Sequence, residues 1–351
     1  MDPTSEHFKD AFVACSAWSR TQENRVVKNL DLSFSISTSN KPPLSPRELV
    51  KQVDRELSLL CSILQACVRR NNRIEEIHVT LGDYLQAYPE GLKLLSSALL
   101  VSGIKNIFLR SSESAVFSKD YWYPDRPASV TLALSTEYLN DIHRVIPCIA
   151  PMKLTCLSID YLGTTIDMSG SVYSWIDVYL PSLTELTISP RAISVDGLHK
   201  FLLRHHRIDS LTVEDYRNHA TPPIEFDSVA SNLSHCPAVV RMSTNWAWAF
   251  FRRFRSTVQL DLDELCLLGG GPSSRDKVSD MEACVRSIWR VGKVTFEDDN
   301  RKGLGFSVPF VLQGCRTTSH LIVAPGNINI MEDLSPLKAA VSHYSLRTTL
   351  C

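Results

Sequence analysis

Six carboxylates are spaced so that their side chains could bind a cation or a basic ligand. Each occupies an outward position of a short predicted strand, because side chains alternate between the two faces of a strand. Neighbouring strands lie roughly 4.8 Å apart, so we expect Asp263 and Glu297 nearly to touch. A second row is expected from Asp160, Glu185 and Glu214. Three interpretations stay open: hydrated charges on a solvent face, a surface for a basic ligand, and a divalent-metal site. The six residues are Asp160, Glu185, Glu214, Asp261, Asp263 and Glu297.

Sequence signatures of catalysis are missing from the chain. It contains no G-x-x-x-x-G-K-[ST], no G-x-G-x-x-G after a strand, no G-x-S-x-G and no H-E-x-x-H. The glycine run 269–271 predicts a flexible loop. His199, His205 and His206 fall on one predicted helix without a nearby cysteine or glutamate, so we expect solvent exposure rather than metal binding. The sequence therefore predicts no catalytic residue, no metal and no cofactor.

The segment 246–255 interleaves aromatic residues with three arginines. On a nucleic-acid-binding protein this pattern would indicate stacking on bases together with phosphate contacts. Helical spacing offers the other explanation, because Trp246, Phe250 and Phe254 fall on one face and would be buried. We then expect the arginines to lie on the outside, with their stems over the surface.

The candidate residues lie within a repeated apolar sequence pattern. Leu183, Leu186 and Ile188 place apolar residues at i, i+3 and i+5, with mostly polar residues between them. Eleven copies begin at positions 27, 74, 104, 127, 154, 183, 208, 237, 257, 291 and 318, and most steps are between 20 and 34 residues. One such unit cannot bury its apolar face alone, so the units must stack on one another.

Segments of helical period lie between most of the predicted strands. They cover 91–101, 137–149, 172–179, 195–206, 226–235, 246–254 and 278–289. Alternation of strand and helix predicts an α/β horseshoe solenoid, with parallel strands on the concave face and helices on the convex face. We expect an N-terminal cap or frayed segment at 1–25, the repeats at 26–330, and a capping helix and tail at 331–351.

The overall composition indicates an ordinary folded protein with a cytosolic or nuclear location. Its 351 residues carry a net charge of -1, and 44% of them are hydrophobic. No segment approaches the roughly 18 apolar residues of a membrane span, and the start lacks the order of a signal peptide. Ten cysteines are scattered without a C-x-x-C pair, which predicts small reduced core residues.

The strand figure L-x-x-L-x-L, with helices between its copies, resembles leucine-rich-repeat solenoids of the ribonuclease-inhibitor-like kind. The irregular spacing is more similar to the divergent repeats of fungal F-box proteins. In that family an F-box beginning Leu-Pro-x-Glu binds an adaptor of a cullin-type ubiquitin ligase. No such motif precedes Val27, and the nearest approach, 44–48, carries an extra residue. The family's turn asparagine, three residues after the last strand leucine, is matched here by Asn245 alone.

The resemblance implies a non-catalytic scaffold that binds a protein on its concave face. Its most specific form is an F-box/LRR-type substrate-recognition protein or a shortened relative. The six outward carboxylates, independently of the resemblance, predict that the partner has a basic segment. A ubiquitin ligase adaptor would bind only if an F-box were supplied elsewhere, and no membrane or nucleic-acid partner is expected. The alternative is a metal-dependent hydrolase in which Asp261, Asp263 and Glu297 surround a metal.

Overall fold

A computed structural model describes the strands of the chain, two helices and several connecting segments. The described residues are 29–33, 76–80, 104–110, 130–136, 142–143, 145–147, 150, 153–163, 174–214, 233, 235–254, 260–268, 288–298, 317–325 and 347–350. The chain divides into two compact units. One contains Met1–Thr136 and Asn140–Met152, and the other contains Glu137–Leu139 and Lys153–Cys351.

Each unit contains parallel strands in which every strand pairs with its successor in the chain. The first unit has β1 (Asn29–Ser33), β2 (Glu76–Thr80), β3 (Asn106–Arg110) and β4 (Thr131–Thr136). The second has β5 (Cys156–Tyr161), β6 (Glu185–Ile188), β7 (Ser210–Val213), β8 (Val239–Ser243), β9 (Leu260–Leu268), β10 (Ile288–Asp298), β11 (Thr317–Pro325) and β12 (Arg347–Leu350). Sequential parallel pairing with crossovers is the arrangement of a leucine-rich-repeat α/β fold, which confirms the predicted fold class.

In β6, β7 and β9 the apolar pattern of the repeat is produced by a bend near the start of the repeat's strand segment. Leu183 and Leu186 are 0% and 1% exposed, although two residues three apart would face opposite sides of a regular strand. The bend is visible in the main chain, where the amides of Thr184 and Glu185 both donate to the carbonyl of Thr155, at 2.9 and 3.0 Å. The same double donation recurs from Asp209 and Ser210 to Thr184, and from Asp263 and Glu264 to Ala238.

The predicted alignment of β9 is wrong by five residues. It set Leu260 beside Val240 of β8, whereas the structure sets Leu265 there. The repeat figure of this strand is therefore Leu262, Leu265 and Leu267, all nearly fully buried. Leu260 is buried as well, because β9 begins earlier than the shorter strands before it.

Two further strands differ from the sequence predictions. In β4, Leu132 rather than Val130 lies opposite Ile107, a shift of two residues that keeps the same face inward. At the end of the chain Arg347–Leu350 form a twelfth strand beside β11, where a tail was expected. The predicted closing helix and the segment before residue 26 lie outside the described residues, so the domain boundaries stay predictions.

Among the described residues of the second unit, two helices and a 3₁₀ turn accompany the strands. Helix α1 (Val195–Arg204) begins at Ser194, whose hydroxyl accepts the amide of Gly197 at 3.0 Å, and it buries Leu198, Phe201 and Leu202. Helix α2 (Thr244–Phe251) follows β8 directly. Both agree with predicted helices.

The other predicted helices agree less well with the structure. In the predicted helix 172–179, the described residues from 174 onward form a 3₁₀ turn, Ser174–Asp177. The helix expected to reach Trp289 overlaps the first residues of β10. Residues 142–143 and 145–147 are helical, as predicted, whereas 91–101 lies outside the described residues. Within the described part of the chain, no helix is long and apolar enough to cross a membrane.

Candidate functional site

The strands of the second unit present two rows of side chains opposite to the buried leucines, and we call these rows the outward face. Their members are set by register, one strand apart and roughly 4.8 Å from each other. The first row runs through Glu185, Ser210, Val239, Glu264 and Lys293. The second row runs through Thr187, Thr212, Arg241, Cys266 and Thr295.

The register separates Asp263 from Glu297, so the expected close pair does not form. Glu297 lies opposite Leu268 of β9, whereas the backbone of Asp263 lies against Gly292. Five residues of strand, roughly 16 Å, therefore separate the backbone positions of the two residues along the strands. No group of three or more histidine, cysteine, aspartate or glutamate side chains in the described segments is arranged to hold a metal ion. The geometry thus removes the carboxylate pair on which the hydrolase alternative depended.

The second expected row is also rearranged. Asp160 and Glu214 fall at the level of Ser189, since Ile188 pairs with Ile159 on one side and its carbonyl accepts the amide of Glu214 at 3.2 Å on the other. Glu185 lies at the opposite end of the same strand, four residues from Ser189 and roughly 13 Å away. The three carboxylates are therefore distributed over the face rather than collected in one row.

Two cations neutralise part of the negative charge on this face. Arg241 Nε donates to Glu214 at 3.3 Å, and Lys293 Nζ donates to Glu264 at 2.7 Å. In the first pair the side chains are 23% and 16% exposed, so solvent screens it less than a surface ion pair. Sequence reasoning missed Glu264 because the predicted alignment of β9 was wrong. Recognition of Leu262, Leu265 and Leu267 as the repeat figure would have placed it.

Thiols contribute to the outward face as well. Cys156 Sγ donates to Glu185 at 3.0 Å, and Cys266 Sγ accepts from Arg241 at 3.5 Å. Both cysteines are buried and reduced, as predicted, but they face outward rather than into the leucine core. Cys236 does fit the predicted buried role, and burial raises the pKa of its thiol.

Asp261 and Asp263 are the exposed carboxylates among the five predicted residues whose side-chain exposure the structure describes. They lie near the beginning of β9. Strands β9, β10 and β11 are longer than the preceding strands β5 to β8, which have four to six residues each. An exposed pair of this kind attracts cationic groups and interacts with them over about one Debye length. Among the predicted residues whose exposure is described, the most accessible negative region is therefore the beginning of β9.

The first unit has a polar pair that the sequence analysis did not single out. Glu76 and His78 alternate around the buried Ile77 and bond to each other through Oε1 and Nε2. The His78 ring stacks on Phe108 of the next strand, with centroids 4.3 Å apart and planes at 5°. Alternation around Ile77 was the available signal. The stacking holds the rings of His78 and Phe108 together on the outward side of β2 and β3.

Two of the three histidines near α1 are buried, contrary to the expected exposure. His199 and His205 are each 3% exposed, and only His206 is open to solvent. His205 Nδ1 donates to the carbonyl of Phe201 at 2.7 Å, and its Nε2 accepts the amide of Leu180 at 2.9 Å. This pattern requires the neutral ring, and burial lowers the pKa of His205 accordingly.

His199 lies where α1 meets α2. Its Nε2 donates to the carbonyl of Phe250 at 3.1 Å, and its ring contacts Phe250 and Phe254 with centroids 4.7 and 5.3 Å apart. Its Nδ1 is buried without a hydrogen-bond partner. Burial lowers the pKa of His199 to about 4. The ring is a neutral part of the core rather than a ligand for metal.

The aromatic and arginine segment is arranged only partly as predicted. Trp246, Phe250 and Phe254 are buried, and Arg252 is exposed. Arg253 is instead 8% exposed and forms an ion pair with Asp196 in the first turn of α1, while burial lowers its pKa. A buried arginine that bonds within the chain does not support nucleic-acid binding by this segment.

Comparison with known proteins finds a likeness in fold only. No family model matches the chain, and no curated protein matches it. Among solved structures, the chain is similar to the leucine-rich repeat-containing protein LegL7 from Legionella pneumophila. The likeness has 14% sequence identity and a TM-score of 0.44, and it covers 92% of this chain and 83% of that one. The parallel strand register therefore remains the evidence for the fold.

Proposed function

We propose that the chain is a non-catalytic protein–protein interaction scaffold that binds its partner on the outward face of the second unit. The observation that supports this function is the register of β6 to β10, which sets the half-exposed side chains of the first row, of mixed chemistry, at regular spacing. The first row contains two carboxylates, a hydroxyl, an apolar side chain and an ammonium group. Five strands span roughly 19 Å, a width that accommodates one extended or helical segment of another protein.

The partner segment is basic, and it approaches the face from the beginning of β9. Arg241 and Lys293 already neutralise Glu214 and Glu264, so these two glutamates offer less to a basic ligand than their charge suggests. Asp261 and Asp263 are exposed and add two negative charges at one end of the rows. Charge of this kind acts on the association rate and on selectivity, so binding weakens as salt concentration rises.

A capture experiment tests this assignment. The immobilised protein is incubated with an extract of the cells that produce it, in parallel with an Asp261→Lys/Asp263→Lys variant. Asp177→Lys is the control for the reversal of an exposed carboxylate outside the outward face; it lies on the 3₁₀ turn before α1, where it pairs with Arg204. We expect a set of proteins that the control retains, that the double variant loses, and that elutes as salt is raised. Retention of the same proteins by all three forms would contradict binding on the outward face.

The more specific proposal is an F-box/LRR-type substrate-recognition protein or a shortened relative of one. It is supported by the strand repeats and their irregular spacing, while the adaptor-binding motif is missing from the 351 residues. Purified ligase adaptor and purified chain should therefore not co-elute in gel filtration unless an F-box is supplied on another polypeptide. Stable co-elution of the two proteins alone would contradict this expectation.

A further inference from the structure

A continuous band of solvent-accessible residues crosses β6 to β10 at the level of the strand bends. On each of these five strands, two consecutive residues are at least partly exposed between two buried apolar residues. A regular strand would expose only one of the two, because consecutive side chains point to opposite faces. The band is therefore two residues wide and roughly 19 Å long, and it runs across the strands. We call it the cross-strand band; its members are Thr184, Glu185, Asp209, Ser210, Ala238, Val239, Asp263, Glu264, Gly292 and Lys293.

Main-chain hydrogen bonds fix the relative positions of the central residues of the band. The amide of Val239 donates to the carbonyl of Asp209, and the amide of Asp263 donates to the carbonyl of Ala238, both at 2.8 Å. Asp209, Ala238 and Asp263 therefore lie at one level on three successive strands. Two strand spacings, roughly 10 Å, separate the backbone of Asp209 from that of Asp263.

Two exposed carboxylates flank a small apolar centre. Asp209 and Asp263 are exposed on either side of β8, where Ala238 and Val239 are partly exposed. At both aspartates the amide and that of the following residue donate to one carbonyl of the preceding strand, so the main chain takes the same course. We expect the two side chains to leave the chain in the same direction. A ligand with two cationic groups about 10 Å apart and an apolar group between them would match this arrangement.

We propose that the cross-strand band binds an amphipathic helix of the partner protein, lying across the strands, with basic residues at positions i and i+7 and a large apolar residue at i+4. The basic residues pair with Asp209 and Asp263, and the apolar residue lies over Ala238 and Val239. This inference rests on the proposed function and names the kind of segment that the outward face accepts.

The distance between the two aspartates favours a helix over an extended segment. Seven residues of α-helix rise about 10.5 Å, which matches the separation of Asp209 and Asp263, and positions i, i+4 and i+7 lie on one helix face. An extended segment spans the same distance in about three residues. Residues three apart point to opposite sides of an extended chain, so only one of two such basic residues would face the band.

Charge at the ends of the band determines where the helix lies. Glu185 on β6 is negative, whereas Lys293 on β10 is positive, 40% exposed and paired with Glu264. A basic helix centred on β8 therefore extends towards β6 rather than towards β10. Nucleic acids and anionic membranes are repelled by Asp209 and Asp263, so they fit this surface less well than a basic protein segment.

Fluorescence anisotropy with labelled peptides tests the proposal. The probe is an alanine-based helical peptide with lysine at i and i+7 and leucine at i+4. One comparison peptide of the same composition moves the second lysine to i+5, away from the common face. Another replaces two alanines by prolines, which prevents the helix. We expect the probe to bind at least about tenfold more tightly than either comparison peptide, and less tightly as salt concentration rises.

Variants of the band locate the bound probe. Asp209→Lys and Asp263→Lys should each weaken binding by about tenfold at low salt, at an unchanged melting temperature. Asp177→Lys reverses an exposed carboxylate outside the band and should bind the probe within about twofold of the unmodified protein. If Asp209→Lys lowers the melting temperature, Asp209→Asn replaces it and should weaken binding by about threefold.

A further variant tests the apolar contact. Val239→Thr keeps the branched shape of the side chain and should weaken binding of the probe by about threefold. It should leave unchanged the binding of a peptide in which serine replaces the leucine, because that peptide lacks the group that contacts Val239. Equal effects of Val239→Thr on the two peptides would contradict the predicted position of the apolar residue.

The outcomes separate this inference from the proposed function. If the i+5 and proline peptides bind as tightly as the probe, and Asp209→Lys weakens all three, the face binds basic segments but does not select a helix. That result would overturn the inference and leave the proposed function in place. No saturable binding of the probe, or binding that none of the band variants changes, would also overturn the inference. The capture experiment with Asp261→Lys/Asp263→Lys then decides separately whether the outward face binds a partner.

Discussion

Acidification should destabilise the second unit through His199, and His199→Phe should remove this part of the effect. Burial beside Phe250 and Phe254 lowers the pKa of His199 to about 4, from an ordinary value of 6.5. A proton added to the folded ring would lie on Nδ1, which has no hydrogen-bond partner. The folded state therefore favours the neutral ring, whereas the unfolded chain accepts the proton readily.

The sign and size of the effect follow from proton linkage. Because the folded pKa lies below the unfolded value of 6.5, the contribution of the neutral ring to stability is fully present above that pH. It is lost as the pH falls towards the folded pKa. At about pH 5 the unfolded histidine is almost fully protonated and the folded one is not. The free energy of unfolding should then be lower by roughly 2 kcal/mol than at about pH 7.5.

Denaturant unfolding followed by tryptophan fluorescence at both pH values measures this loss. In the His199→Phe variant the Phe250 carbonyl keeps the amide of Arg253 as a donor at 3.3 Å, so the substitution leaves no orphaned acceptor there. Other groups, including His205, titrate in both proteins, and their effects cancel in the comparison. His206→Phe is the control, because His206 is exposed. Equal losses in the unmodified protein and His199→Phe would refute the assignment of this effect to His199.

Two further predictions concern the strands. Leu186→Asp should unfold or aggregate the protein, because an unpaired charge buried in this core costs on the order of 4 kcal/mol or more. Thr187→Asp, on the outward face, should change the free energy of unfolding by less than about 1 kcal/mol, and equal damage would mean that the strand register is wrong. Gly292→Ala should cost roughly 1–3 kcal/mol, because a Cβ there would lie 2.7 Å from the backbone oxygen of Asp263. Gly197→Ala should cost less, since its nearest contact is a side-chain methyl at 2.8 Å that can rotate and a helix favours alanine. Melting temperatures check all four variants, and a larger loss for Gly197→Ala would contradict the difference between the glycines.

The repeat pattern predicted eleven of the twelve described strands and their parallel order, because apolar spacing within one repeat is a local property. It did not predict β12, and it placed β4 two residues away from its observed register. It was not sufficient for the alignment of β9. In β9, Leu260 and Leu262 precede Leu265 and Leu267. The two residues of each pair are two positions apart, as side chains on one face of a strand must be, so either pair fits the pattern. The correct pair is selected by hydrogen bonds from Asp263 and the residue after it to the preceding strand, which no local pattern contains.

Burial of polar side chains was unpredictable for a related reason. His199 is buried because Phe250 and Phe254 of a later repeat cover it, and Arg253 is buried because Asp196 of an earlier repeat supplies a counter-charge. Each residue looks like a surface residue within its own segment. Its environment depends on a partner more than 50 residues away in sequence, so only the packing of successive repeats decides it.

The same dependence on neighbouring repeats changes what the acidic positions imply about binding. Counted along the sequence, the outward positions indicate a strongly negative face. Within the folded second unit, Glu214 and Glu264 are each paired with a cation on the following strand. Their charge therefore stabilises the sheet and attracts a ligand less strongly than an unpaired carboxylate would. Reversing Glu214 would therefore place a lysine beside Arg241 and lower stability as well as binding. Reversal of Asp261 and Asp263 tests binding more directly, because exposed charges contribute little to stability.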